Sequence, residues 1–373
     1  MQTLKMANPT PFKAIYLSDK GEVISRNITE IYVPTESQTL VQVQYSGINP
    51  GDIRHFHIDM HSFVMGYEFA GNVIAAGPSS PFKPGEAVFG MTTPGHARPL
   101  HRGAHQAYLL AEKYMTWRRP DDLDPLIAVG MPAAAQTALD ALFNCLGFGL
   151  PSAGLSGDDA VGRSILIWGG GSNVGAAAVQ LAKVAGFDPI LVTASKRNHG
   201  HLKALGATQC FDYHEPSVVE DIQEAVRASG KSLRIAFDAV CCGLGIYEGL
   251  SHEARAAVEM KYDESTPALA RRCMSAGLSP QDLKLSCVLP VVKDPNWKFA
   301  LVPRGSLNDS APQDWAERTD NAMRWLIDNH KSVWRPMPKI TTVETAEDAI
   351  GAIHNVWEGK TSMEKVVLKH PLL

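Results

Sequence analysis

The chain has 373 residues, 45% of them hydrophobic and 20% charged, enough for about two to three domains and too evenly mixed for wholesale disorder. Thirty-five Lys and Arg against 39 Asp and Glu leave a net charge of −4, which argues against the clustered positive surface that nucleic acid requires. The most apolar stretch, 126–145, is interrupted by Pro132, Gln136 and Asp140, so no membrane span is expected.

The first 13 residues lack the apolar core of a secretory signal, and none of the six cysteines forms a C-x-x-C pair, so a reduced, cytoplasmic protein is expected. Residues 39–45 alternate polar and apolar, the period of a half-buried strand, and Gly47, Gly66, Gly71, Gly77 and Gly85 punctuate the next forty residues. The opening 120 residues therefore read as a turn-rich β domain. From Asp124 the texture changes. Residues 131–145 are Ala- and Leu-rich and predict a helix; 151–162, rich in Gly, Ser and Asp, predict a linker. Ser164–Trp168 is apolar after its opening serine, as expected of a parallel strand covered on both faces. Helices are predicted over 176–185, 201–205 and Val218–Ala228, alternating with strands over 189–194, 209–213 and 233–240. That alternation implies βαβ units, hence an α/β fold with a parallel sheet and helices on both faces. Beyond it, 253–261 predicts a charged helix, 287–292 an apolar strand, 320–329 and Ala346–Trp357 helices, and 365–368 a last strand.

Gly169, Gly171 and Gly175 form G-x-G-x-x-x-G directly between a predicted strand and a predicted helix. Glycines there permit a tight turn, close approach of a pyrophosphate, and packing of helix on sheet, while free N–H groups at the helix start receive the phosphates. The setting points to a dinucleotide. NAD sites end the second strand with an acidic residue that binds the ribose 2′-hydroxyl. Here that strand leads into Ser195, Lys196 and Arg197, a hydroxyl and two cations suited to a 2′-phosphate, so NADPH is the expected cofactor.

With these residues in view, the chain resembles the medium-chain dehydrogenase/reductase superfamily over nearly its whole length. The match is carried by Gly66-Tyr67-Glu68-Phe69-Ala70-Gly71, then Gly77, then Phe82-Lys83-Pro84-Gly85-Glu86-Ala87-Val88-Phe89-Gly90. Asn49-Pro50-Gly51-Asp52 resembles the N-P-x-D of the zinc-free quinone-reductase branch, and Pro132 through Thr137-Ala138 resembles the family's P-A-A-x-x-T-A helix start. Gly359-Lys360 through Lys365-Val366-Val367 resembles its closing motif. Within the superfamily the chain is most similar to fungal trans-acting enoyl reductases that partner polyketide synthases, with 243–263 looking like an insertion.

The resemblance implies a GroES-like domain over 1–130, a Rossmann domain over 131–292, and a return to the first domain over 293–373, with nicotinamide and substrate held between the two. Zinc-dependent relatives carry Cys and His where this chain has Asn49 and Tyr67, neither an ordinary zinc ligand, so no metal is expected. Two histidine groups, His55, His57 and His61, and His96, His101 and His105, are read as loop residues near the substrate mouth. The implied reaction is hydride transfer to an alkene conjugated to a carbonyl. Asn49, Thr137 and Arg54 are candidates to stabilise the developing oxyanion. Arg54 stands where related enzymes often carry Lys and is a poor acid, leaving water, Tyr67 or a histidine of the 55–61 group to supply the α-carbon proton. Ser172, Asn173 and Val174 should meet the pyrophosphate, Tyr213 the adenosine ribose, and Val240 and Leu289 the nicotinamide. Three functions stay open: an enoyl reductase on a carrier-bound acyl chain, a quinone or enone reductase on free small molecules, and a cofactor-binding protein without reductase chemistry. The assembly is a monomer or a homodimer.

Overall fold

The computed structural model describes residues 8–95, 98–244, 262–304, 312 and 314–373. His96, the predicted helix 253–261 and most of the 243–263 segment lie outside them. The described chain divides into two compact units, one up to Ala133 and again from Pro336, the other between Ala134 and Arg335.

The first unit is β-rich. Its strands are β1 (Phe12–Leu17), β2 (Val23–Ile28), β3 (Thr39–Gly47), β4 (Phe63–Val64), β5 (Glu68–Ala76), β6 (Ala87–Met91), β7 (Tyr108–Ala111) and β8 (Thr116–Arg118). The predicted alternating segment forms most of β3, which pairs with β5 along its length. On its other edge β3 changes partner. Thr39 to Gln42 pair with β7, whereas Tyr45 to Gly47 pair with a strand from the far end of the chain. Val41, Phe69, Val88 and Leu109 pack together inside this sheet. A second cluster joins Ile15, Met60 and Phe63 to Ala349 and Ile353 of the helix Ala346–Trp357. Each such large apolar side chain, fully removed from water, contributes roughly 1.5–3 kcal/mol.

The second unit carries β9 (Ser164–Trp168), β10 (Ile190–Thr193), β11 (Gln209–Phe211), β12 (Leu233–Asp238), β13 (Lys284–Cys287) and β14 (Trp297–Phe299). All pairings are parallel and the order is β11-β10-β9-β12-β13-β14. Renumbered within the unit this is 3-2-1-4-5-6, the doubly wound order of dinucleotide-binding domains. The apolar run Ser164–Trp168 became the central strand, with all five residues buried. The helix Asn173–Ala185 starts earlier than its apolar pattern suggests because Ser172 caps it, its hydroxyl accepting from Gly175 N at 3.0 Å.

Several predicted bounds move. The 131–145 helix is two elements, Pro132–Leu139 in α form and Asp140–Cys145 in π form. In the wider turn, the buried Asp140 carboxylate accepts from Arg304 Nη2 at 2.7 Å and Leu301 N at 3.1 Å. The predicted strand 287–292 is instead a loop following β13. Pairing with β12 ends at Asp238 and Cys287, and Pro290 has no N–H to extend a ladder. The return of the chain to the first unit also comes at Pro336 rather than 293, because β14 pairs with β13 and the helix Asp314–Asp328 lies within the second unit. After it, β15 (Lys339–Val343) and β16 (Glu364–Lys369) complete the first unit, β16 being the late partner of β3. Among the described residues no helix is long and apolar enough to cross a membrane.

Candidate active site

The order of the second sheet reverses between β9 and β12, the topological switch point at which open α/β sheets hold their ligands. The glycine turn follows β9 at that point. Gly169 has φ +86°, and a Cβ there would lie 2.5 Å from Val240 Cγ1. A Cβ on Gly175 would lie 2.2 Å from the carbonyl oxygen of Gly169. Both positions therefore require glycine, one for conformation and both for space. Gly171, between them, is half-buried, as are Ser172, Asn173 and Val174. The Asn173 Oδ1 is buried without a hydrogen-bond partner among the described residues, an acceptor that a ligand hydroxyl would satisfy. Tight turn, capped helix start and unsatisfied amide together fit a dinucleotide.

On the β10 side, Thr193 Oγ1 accepts from Gly169 N at 3.0 Å, fastening the turn to the neighbouring strand. Ser195 Oγ donates to the Tyr213 hydroxyl at 3.2 Å, so two residues assigned to the adenosine end do meet. Lys196 and Arg197 are exposed and enter no ion pair among the described residues. Sequence reasoning overlooked Asp212, whose carboxylate accepts from Lys196 N at 3.3 Å and His214 Nδ1 at 2.7 Å. Bonds from the His214 N–H and imidazole hold that carboxyl below the usual range.

It also overlooked Asp238, the buried last residue of β12. Its carboxylate accepts from Val240 N at 3.0 Å, Cys241 N at 2.9 Å and Thr266 Oγ1 at 2.6 Å, fixing the loop that faces Gly169. Burial pushes this carboxyl above the usual range despite those bonds. Val240 is half-buried and Leu289 is buried in the loop after β13. Thr137 lies half-buried on the helix Pro132–Leu139 of this second unit.

In the first unit, the buried Asp52 pins two segments, accepting from Asn49 N at 2.8 Å and Gly66 N at 3.0 Å. Burial alone would raise its carboxyl, but nearby His105, the Asn49 N–H and Lys365 hold it below the usual range. The Asn49 side chain is occupied at both ends: Oδ1 accepts from Lys365 Nζ at 3.0 Å and Nδ2 donates to Glu68 Oε2 at 2.7 Å. Lys365 and Glu68, both buried, form an ion pair at 2.5 Å, and Glu68 Oε1 also accepts from Ala133 N at 2.8 Å. Tyr67 is buried, its hydroxyl hydrogen-bonded to His55 Nδ1 and its ring 4.3 Å below the Arg98 guanidinium. Arg98 is itself buried and donates to the carbonyls of Gly66 at 2.8 Å and Val64 at 3.1 Å. Arg54 lies over the Trp357 ring at 5.9 Å.

The histidines do not converge. His57 stacks on Trp357 at 5.5 Å, His61 sits 3.6 Å from Asp59, and His105 is buried 2.8 Å from the Ser46 hydroxyl. Among the described residues no group of three or more His, Cys, Asp or Glu could hold a metal ion. An amide spent on Lys365 and Glu68, and a phenol beneath a guanidinium, are not a donor set that suits zinc.

A GroES-like β unit and a 3-2-1-4-5-6 unit carrying a glycine turn at its switch point are the architecture that the resemblance to the medium-chain dehydrogenase/reductase superfamily implied. Residues 35–121 match the family described as alcohol dehydrogenase GroES-like domain, and 173–254 the family described as zinc-binding dehydrogenase. The chain is 34% identical over 231 residues to a dehydrogenase of Aspergillus niger, covering 59% of this chain and 65% of that one. It is 28% identical over 319 residues to a trans-enoyl reductase of Macrophomina phaseolina, covering 81% of this chain and 82% of the relative. The match thus spans just under two thirds of the first curated relative's length and more of the second's. Among solved structures, an alcohol dehydrogenase superfamily protein from Novosphingobium aromaticivorans superposes with TM-score 0.68 at 20% identity, over 96% of this chain and 99% of that one.

Proposed function

We propose that the chain is an NADPH-dependent, zinc-independent enoyl reductase that acts on an α,β-unsaturated acyl thioester carried by a polyketide synthase. The similarity to a trans-enoyl reductase over 81% of the chain carries the reaction class. The exposed pair Lys196 and Arg197, beyond the end of β10 where an NAD site would place an acid, supports NADPH over NADH. Ser172, Asn173 and Val174 would hold the pyrophosphate, and Ser195 with Tyr213 the adenosine ribose. The bound cofactor supplies the hydride for the β-carbon.

The donor chemistry at Asn49 and Tyr67 supports a zinc-free site, and it reassigns Asn49. With Oδ1 accepting from Lys365 and Nδ2 donating to Glu68 and, at 3.4 Å, to the Gly47 carbonyl, Asn49 shapes the wall of the site rather than offering a donor to the substrate. Purified, chelator-treated protein should oxidise NADPH when given an enoyl thioester, followed by absorbance. Turnover of a quinone alone would select the small-molecule reductase, and loss of turnover on chelation would overturn the zinc-free reading. Arg197→Ala should raise the NADPH Michaelis constant by about 10–100-fold, the worth of roughly 1.5–3 kcal/mol in charge-assisted bonds, and leave that for NADH nearly unchanged. Equal effects on both would remove the 2′-phosphate assignment.

A further inference from the structure

We infer that His55 is the proton donor to the α-carbon, with Tyr67 and Arg98 as the positioning residues that set its tautomer and refill it; this rests on the enoyl-reductase reading. The geometry lies within one short segment. His55 follows the helical turn Gly51–Arg54, is half-buried, and bonds through Nδ1 to the hydroxyl of the buried Tyr67. Among the described residues no hydrogen bond is made to Nε2, the nitrogen opposite the one that meets Tyr67. If the phenol donates to Nδ1, the neutral ring must carry its hydrogen on Nε2, where no acceptor among the described residues takes it.

Arg98 fixes the other end. Its guanidinium covers the Tyr67 ring at 4.3 Å and is tied to the Gly66 carbonyl at 2.8 Å and Thr92 Oγ1 at 2.6 Å, so it cannot swing away without breaking buried bonds. The charged and titratable groups acting on His55 are Arg98, Asp52 and Arg54, together with the bonded Tyr67. Burial, reinforced by Arg98, pulls the imidazole down to about 4, so the ring is neutral at pH 7. Burial pushes the phenol up, and Arg98 opposes it.

The proton count closes. Reduction at the β-carbon leaves an enolate. The His55 Nε2–H bond breaks as a C–H bond forms at the α-carbon, while Nδ1 takes the proton from the Tyr67 hydroxyl. The imidazole ends neutral in its other tautomer, and the negative charge rests on the phenolate beside Arg98. A solvent proton taken up at Nε2 reverses the tautomer and restores the phenol.

Two measurements test this. In protein labelled with ¹⁵N-histidine, the His55 signals, assigned by their loss in His55→Gln, should show the Nε2–H tautomer at pH 7; an Nδ1–H tautomer would overturn the relay whatever the activity. In steady state with an enoyl thioester and NADPH, His55→Gln should lower kcat by about 100-fold or more at unchanged KM, with partial rescue by added imidazole. Tyr67→Phe keeps the ring beneath Arg98, so it decides the matter even where His55→Gln fails to fold. It should mix the His55 tautomers and lower kcat about tenfold with a larger solvent deuterium effect. Wild-type kcat in either variant would sink the relay and leave the reductase standing, whereas wild-type protein inert toward enoyl thioesters would sink the reductase reading itself.

Discussion

At the scale of single residues, Lys365 is the side chain on which most of the first unit's polar site depends. It is buried, and its ammonium is shared among the Glu68 carboxylate at 2.5 Å, the Asn49 amide oxygen at 3.0 Å and the Ile48 carbonyl at 3.1 Å. Replacing it with Met would strand a buried carboxylate. Lys365→Met should cost about 3–5 kcal/mol in urea unfolding, and adding Glu68→Gln should recover a large part, because the stranded charge rather than the missing bond dominates. Near-additive losses in the two variants would contradict this. Asn49 and Glu68 were legible in short motifs. Their connection through Lys365 was not, since Glu68 and Lys365 lie 297 positions apart in the chain. Arg98 and Asp238 were silent for a related reason: an isolated charged residue acquires meaning only from which carbonyls or N–H groups fold around it.

At the scale of elements, the glycine turn shows how finely space is allotted. Gly175→Ala places a methyl 2.2 Å from the Gly169 carbonyl, a clash with rigid backbone, and should cost about 1–3 kcal/mol in stability while weakening nucleotide binding at least about tenfold by fluorescence titration. Gly200 is the control. It lies in the helix His199–Leu205 with open space around a Cβ, so Gly200→Ala should stabilise by about 0.5–1 kcal/mol and leave binding unchanged. The central strands were readable because a strand covered on both faces is mostly apolar, with buried polar residues such as Thr193 and Asp238 confined to its ends. Strand ends were not. The apolar run after Cys287 continues through Leu289 and Val291, both buried, so hydrophobicity alone could not mark where pairing stops. The π turn at Asp140–Cys145 has no signature in an Ala- and Leu-rich sequence; its bonds to Arg304 and Leu301 come from far along the chain.

At the scale of the whole molecule, two imidazoles make stability depend on acidity. Burial pulls His370 down to about 3 and His55 to about 4, against an ordinary value of 6.5. Below 6.5 the unfolded chain takes up protons that these folded rings refuse, so stability falls with pH from about 6.5 until the folded rings also protonate. His370 alone should cost on the order of 3 kcal/mol at pH 4, and the half-exposed His55 less because water screens it. Urea unfolding at pH 7, 5 and 4 should show this slope, and His370→Gln should flatten it; an unchanged slope would exclude His370 as its source. The two-unit plan was legible from texture and motif. The crossing point was not, because the sequence around 293 to 335 keeps the same mixed composition on whichever side it folds.

The partner change along β3 carries a consequence for how the protein is made. The first half of that strand's edge finds β7 within about 70 residues, but the second half waits for β16, which begins at Glu364. On a ribosome, where domains fold as units in order of emergence, the inserted parallel-sheet unit is complete before that strand has been translated. Maturation therefore runs out of spatial order: the inserted unit can fold first, and the β unit on either side of it in sequence is closed afterwards, by a strand made later than the whole of that insert.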